Sequence, residues 1–251
     1  MGEIVLSDVR EGVAFLRMNR PEKRNAFNRE LSLAVAGLME ELGGNDDVRV
    51  VVLTGSGEAF SAGADMTEAL ASVETGGRGD GMAQAVVRVA TFAKPVIAAV
   101  NGFAFGGGAV LAVSCDLRIA SEQASFRFPG ASYGLVVGGS QLPRVVGAAK
   151  AKELIFTART VDAPEAERIG LVNQVVPHDE LDEVAWEVAR QIADQSPAAV
   201  RWSKAVIDGA TTMEKGGELE LEANRALRGS SDHVSRFREA TERVAGSDGT
   251  K

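Results

Sequence analysis

Cysteine, tyrosine, histidine and tryptophan are scarce in this 251-residue chain, which has one Cys, one Tyr, two His and two Trp. A lone Cys115 cannot form an intramolecular disulfide, so a reducing compartment is the simpler expectation. His178 and His233 do not neighbour Cys115 in sequence, and no zinc cluster or Cys–His nucleophile is expected. So few Tyr and Trp rings argue against a base-stacking platform. Positive charge is also in deficit: 27 Lys plus Arg stand against 35 Asp plus Glu, a net charge of -8. That disfavours nucleic-acid binding through a broad basic surface but leaves room for a small cationic patch on a phosphorylated ligand. Long apolar runs are missing too. The start, "MGEIVLSDVREG", is acidic and is expected to be neither signal peptide nor membrane anchor. Leu6 occupies the place where a myristoylation signal needs Ser or Thr. With 45% hydrophobic and 25% charged residues, the composition points to a soluble cytoplasmic globular protein with no membrane insertion.

Three familiar glycine-bearing motifs are also missing. After Gly106 and Gly108, a dinucleotide fingerprint needs Gly or Ala at position 111, where Leu111 stands. No Gly-Lys-Ser/Thr phosphate loop occurs, and "GGSQL" lacks the closing glycine of a nucleophile elbow.

The patterning that is present is α/β. "VAFLRMN", "VRVVVLTG", "KPVIAAVNG" and "CDLRIAS" read as strands. Between the first two, Leu31, Val35, Leu38 and Leu42 mark one helical face, with Asn28 as N-cap. Strand–helix recurrence predicts parallel pairing. The glycine-rich residues 72–81 are expected to form a mobile surface loop. From Leu181 to Ala193 the apolar spacing predicts a helix capped by Asp179, and Ser196-Pro197 opens another through Ile207. "LELEANRAL" and "HVSRFREATERV" continue in helical style. The expected division is a core over 1–195 and a helical region over 196–251.

Two glycine-bearing loops each lead from a strand towards a helix start: "GEAFSAGADM" (Gly57 to Met66) and Gly106–Gly108. Helix N-termini leave N–H groups without intrahelical partners and favour negative charge. If the loops are neighbours, one N–H from each can converge on one oxygen, the construction of an oxyanion hole. The alternative is that the glycines serve only tight strand–helix packing.

"GEAFSAGADM", "KPVIAAVNGFAFGGGAVLAVSCDLRIA", "EAERIGLVNQVVP", "RPEKRNAF" and "SSDHVSRFREA" together resemble the crotonase superfamily, the enoyl-CoA hydratase/isomerase family. The resemblance covers nearly the whole chain in order. It implies an α/β fold, a spiral of ββα units followed by a C-terminal helical trimerisation region, assembled as a homotrimer or a dimer of trimers. It implies acyl-CoA thioester ligands, with coenzyme A arriving as part of the substrate and no separately bound cofactor. The family's two oxyanion donors correspond to the N–H groups of Ala64 and Gly107. Ala62, Ala64, Asp65 and Met66 would border the adenine end of CoA, and Lys23 and Arg24 are candidates for its phosphates. Asp65 fits a helix N-cap better than a catalytic acid.

The resemblance also implies a departure. The hydratases' two glutamates correspond to Val110 and Gly130, neither of which can carry a proton. Ser132 and Tyr133 are weaker polar candidates nearby, and a tyrosine near pKa ~10 is a poor base at neutral pH. Glu68 and Asp80, in or near the expected mobile segment, are carboxylates that would have to swing inward, which nothing in the sequence demands, while Asp116 reads as structural. The segment "GLVVGGSQL" reads as about two residues shorter than the usual family loop. Two functions follow: an acyl-CoA lyase or isomerase that stabilises an enolate with noncanonical acid/base groups, or a non-catalytic long-chain acyl-CoA carrier or sensor. A purely structural role ranks third.

Overall fold

A computed structural model of the protein describes residues 3–69, 82–211 and 231. The expected loop at 72–81 and the helical stretches expected beyond residue 218 lie outside these residues. The chain divides into two compact units, 1–193 and 194–251.

Among the described residues of the first unit, ten strands form two sheets. The larger contains β1 (Val5–Arg10), β2 (Val13–Met18), β3 (Val50–Gly55), β5 (Val96–Val100), β7 (Leu117–Ser121) and β10 (Gln174–Val176), in the order β1-β2-β3-β5-β7-β10. The smaller contains β4 (Ala59–Ser61), β6 (Phe103–Phe105), β8 (Ser125–Arg127) and β9 (Thr160–Asp162), in that order. Among these strand pairs, β1–β2 and β8–β9 are antiparallel and the rest parallel. Each of β3, β5 and β7 is followed, after a sharp bend, by its short partner β4, β6 or β8. Successive bends stack closely. A Cβ on Gly102 would fall 1.9 Å from the Glu58 carbonyl oxygen, so only glycine fits there.

The central strands read as unbroken apolar runs because both faces of the large sheet are buried. Val51 and Leu53 of β3, with Val96, Ala98 and Val100 of β5, join the main core. The alternate residues Val50, Val52, Ile97 and Ala99 face a second cluster with the helix Leu181–Ala193. That helix buries Leu181, Ala185, Ala189 and Ala193 at four-residue spacing, and the alanines permit close approach.

The helix Arg29–Gly44 starts as expected, with the Asn28 side chain accepting the Leu31 N–H. Asp179 is not the cap of Leu181–Ala193. It lies inside a 3-10 turn, His178–Glu180, that runs directly into the helix. In the second unit a helix spans Pro197–Ala210, longer than expected, and Ser196 precedes it without a side-chain capping bond. Among the described residues, no helix is long and apolar enough to cross a membrane.

Candidate functional site

The two glycine loops follow β4 and β6, neighbouring parallel strands, and are therefore delivered to the same edge. Their contact is close. A Cβ on Gly63 would fall 2.7 Å from the Phe105 oxygen and 3.1 Å from the Gly107 nitrogen. A Cβ on Gly108 would fall 2.2 Å from the Ser61 oxygen. Each of the three consecutive glycines has a separate reason. Gly106 holds φ 53 and ψ -120, a backbone conformation essentially restricted to glycine. Gly107 lies under the Met82 thioether, 2.2 Å from Sδ to a hypothetical Cβ. Gly108 meets the opposite loop.

The amides follow from the local pairing. Phe27 forms a parallel bridge with Ala64, donating to Gly63 O at 2.7 Å and accepting from Asp65 N at 2.8 Å. In that pattern the Ala64 N–H points to the other side. Gly107 is the first residue of the helix Gly107–Ser114, so its N–H has no intrahelical acceptor. Neither N–H donates a hydrogen bond among the described residues.

Side chains around residues 20–27 fix the first loop. The buried Asn25, at φ 53, accepts from Arg20 N at 2.9 Å and donates to Ser56 O at 2.9 Å and Ala59 O at 2.7 Å. The Ser61 hydroxyl donates to Asn25 O at 2.9 Å and accepts from Gly63 N at 3.1 Å. Arg20 donates to Ala26 O at 2.5 Å and to the Asp65 carboxylate at 3.3 Å. Asp65 also accepts from Thr67 N and Glu68 N, at 3.2 and 3.5 Å, as an N-cap should. Burial alone would raise the Asp65 carboxyl. The Glu68 N–H, the Arg20 guanidinium and the Thr67 N–H outweigh it and hold the group below its ordinary range.

The other named residues fall as follows. Lys23 is exposed in a 3-10 turn, Pro21–Lys23. Arg24 is exposed, with its guanidinium paired to Glu58 at 2.9 Å and lying over the Phe103 ring. Ala62 is partly buried and Met66 exposed. Glu68 accepts the Arg29 N–H at 3.0 and 3.2 Å, so it caps a neighbouring helix. Asp116 accepts from Val96 N at 2.7 Å, a structural bond at a strand entrance. Ser132 and Tyr133 are exposed on the turn Pro129–Tyr133. Asp80 lies outside the described residues.

Val110 is partly buried on the Gly107–Ser114 helix, and Gly130 is buried. A Cβ on Gly130 would fall 2.8 Å from both Val137 Cβ and Leu135 O. A Cβ on Gly138 would fall 3.0 Å from Phe128 Cδ1 and 3.7 Å from Val110 Cγ2. The following loop therefore runs close to both positions, with the Val137 side chain and the Leu135 carbonyl against Gly130 and Gly138 beside Val110.

Sequence reasoning missed Arg20, Ser61, Met82 and Val137. Their contacts with Asp65, Gly108, Gly107 and Gly130 are signalled by neither periodicity nor motif spacing. A groove of about 460 Å³ lined by Leu6, Phe15, Arg17, Asp182 and Trp186 belongs to the β1–β2 edge and the Leu181–Ala193 helix, not to the glycine loops. Among the described residues, no group of three His, Cys, Asp or Glu could hold a metal.

The model of the enoyl-CoA hydratase/isomerase family matches residues 8–243. A short-chain-enoyl-CoA hydratase from Clostridium acetobutylicum is 45% identical over 217 residues, covering 84% of this chain and 83% of the relative. A crotonyl-CoA hydratase from Syntrophomonas wolfei is 38% identical over 229 residues, 88% of each chain. Among solved structures, enoyl-CoA hydratase subunit I from Geobacillus kaustophilus matches with a TM-score of 0.87 at 33% identity, over 96% of each chain. A monofunctional enoyl-CoA isomerase from M. smegmatis gives 0.72 at 37% identity, over 83% of this chain and 94% of that one. Fold, loops and relatives agree: this chain belongs to the enoyl-CoA hydratase/isomerase family.

Proposed function

We propose that the protein is an enzyme of acyl-CoA thioesters that polarises the thioester carbonyl between the N–H groups of Ala64 and Gly107 and stabilises an enolate there. One observation carries this reading: Gly63 abuts the Gly107 nitrogen, so the two loops meet where neither amide has an acceptor among the described residues. Two preorganised donors on a developing oxyanion are worth several kcal/mol, with loss of one costing about 3–4 kcal/mol in the barrier. Proton removal from the α-carbon becomes easier as the negative charge moves onto the oxygen the amides hold.

The residues at 110 and 130 cannot supply the acid and base of a two-carboxylate hydration. Val110 and Gly130 have no titratable group, and each such proton transfer is worth about 10²–10⁴-fold. Crotonyl-CoA hydration is therefore very weak or nil, although relatives are named for it. The acid/base groups are noncanonical or belong to the substrate; Ser132 and Tyr133 are weaker candidates. CoA enters as part of the substrate, bordered by residues 62–66, with Lys23 beside its phosphates. Arg24 reaches them only by leaving Glu58. The second unit would build a trimer, alone or paired into a hexamer.

A second reading rests on Val137 packing at Gly130: an apolar lining without proton carriers suits an acyl-CoA carrier or sensor. The deciding experiment measures turnover on enoyl-, β-hydroxyacyl- and β-ketoacyl-CoAs beside calorimetric titration with saturated acyl-CoAs. Turnover of any class supports the enzyme. Binding without turnover supports the carrier. Absence of binding removes both.

A further inference from the structure

The thioether of Met82 lies across Gly107. A Cβ built on Gly107 would fall 2.2 Å from Met82 Sδ, 3.3 Å from Cε and 3.7 Å from Cγ. In a residue with helical φ the N–H and Cα–Cβ bonds are nearly eclipsed, because φ near about -60° turns them to the same side of the N–Cα bond. Whatever stands in place of that Cβ therefore borders the space into which the Gly107 amide points. Met82 is buried, as are Ala85 and Val89 on the helix Ala83–Ala90 that it precedes, and Val86 packs partly buried against the same core. This wall presents a sulfur and hydrocarbon. It offers nothing to the amide groups of a pantetheine arm, and it suits the hydrocarbon side of a thioester.

Resting on the acyl-CoA reading above, the geometry points to Met82 as a specificity-determining residue that closes the space beside the acyl α-carbon. An oxyanion held at Gly107 carries its carbonyl carbon, and hence the α-carbon, against Cγ, Sδ and Cε of Met82. Acyl groups without a substituent at that carbon fit. A methyl branch there meets the thioether. The Met82 side chain is unbranched and can yield, so the discrimination is graded: one methylene or methyl in an apolar pocket is worth roughly 10–200-fold. Removing Sδ and Cε opens the space for the branch.

The test titrates butanoyl-CoA and 2-methylbutanoyl-CoA, neither of which has a double bond to hydrate, into the unmodified protein, Met82→Ala and Met82→Val. Comparing both esters within one variant cancels any loss of folded protein, and Met82→Val keeps a larger apolar side chain should Met82→Ala unfold. The unmodified protein is expected to bind the straight-chain ester at least about tenfold more tightly, and both variants to erase or reverse that ratio. A ratio near one in the unmodified protein overturns the assignment, as does an unchanged ratio in the variants. If neither ester binds any of the three proteins, the acyl-CoA reading itself fails and takes this inference with it. That outcome is distinct from binding without discrimination.

Discussion

Arg20 and Asp65, 45 residues apart in sequence, meet at 3.3 Å and clamp the Phe27–Ala64 bridge from both strands. Arg20 holds the residue before Phe27 through the Ala26 carbonyl, and Asp65 follows Ala64 directly. Both side chains are mostly buried, 15% and 16% exposed, so the pair is more than a surface contact. The Asp65 carboxyl is held below its unfolded value, so the unfolded chain takes up the proton first. The stabilisation is then complete above the ordinary carboxylate range and lost as pH falls through it towards the lower folded value. Asp65→Asn should therefore lower the urea midpoint near neutral pH, with the difference from the unmodified protein shrinking as the pH falls through the ordinary carboxylate range. A difference that stays constant with pH would remove the charge from the explanation.

Gly107 and Gly108 should respond differently to the same substitution. In Gly108→Ala the new Cβ meets the backbone oxygen of Ser61, which cannot swing away, and overpacking of this kind costs about 1–3 kcal/mol of stability. In Gly107→Ala it meets the end of a methionine side chain. Stability should change less, while acyl-CoA binding falls because Met82 is displaced into the site. Chemical denaturation and calorimetry on both variants separate the two effects.

Asn25 closes three hydrogen bonds with a fully buried side chain. Asn25→Ala leaves one N–H and two carbonyls without that partner and should cost about 3 kcal/mol or more, since each abandoned buried group costs about 1–3 kcal/mol. Asparagine also tolerates the left-handed backbone at this position better than alanine does. Unfolding measurements that find less than about 1 kcal/mol would show water replacing the side chain.

Much of the fold was legible in the sequence where burial is two-sided. β3, β5 and β7 are covered on both faces and stand out as apolar runs. β1 escaped because five of its six residues are exposed, so "VLSDVR" shows no core pattern. The strands of the smaller sheet are three residues each, too short for any period to emerge. Asn28 announced its helix because a cap is local chemistry. Asp179 misled because the chain winds into a 3-10 turn before the helix begins. At the candidate site the glycines were readable as motif, but their reasons were not: Met82 over Gly107 and Ser61 against Gly108 are contacts across the fold.

Introducing carboxylates at positions 110 and 130 should fail unevenly. Val110 is partly buried on a helix and can be replaced by glutamate with modest loss. A glutamate at Gly130 must displace both Val137 and the Leu135 carbonyl, so Gly130→Glu should destabilise by about 1–3 kcal/mol and shift the 135–138 loop. The double variant should gain little crotonyl-CoA hydration for that reason. Robust hydration by the double variant would show that the loop readily makes room.

The infrared carbonyl stretch of a bound saturated acyl-CoA, isolated by comparing its ¹³C-carbonyl and unlabelled forms, reports directly on whether the Ala64 and Gly107 amides hold the thioester oxygen. Two amides on the thioester oxygen weaken the C=O bond, so the band should move to clearly lower frequency on binding, and less far in Gly107→Ala. A bound ester whose carbonyl absorbs at its solution frequency, in a protein that nonetheless holds it tightly, would show that these amides do not grip the thioester oxygen.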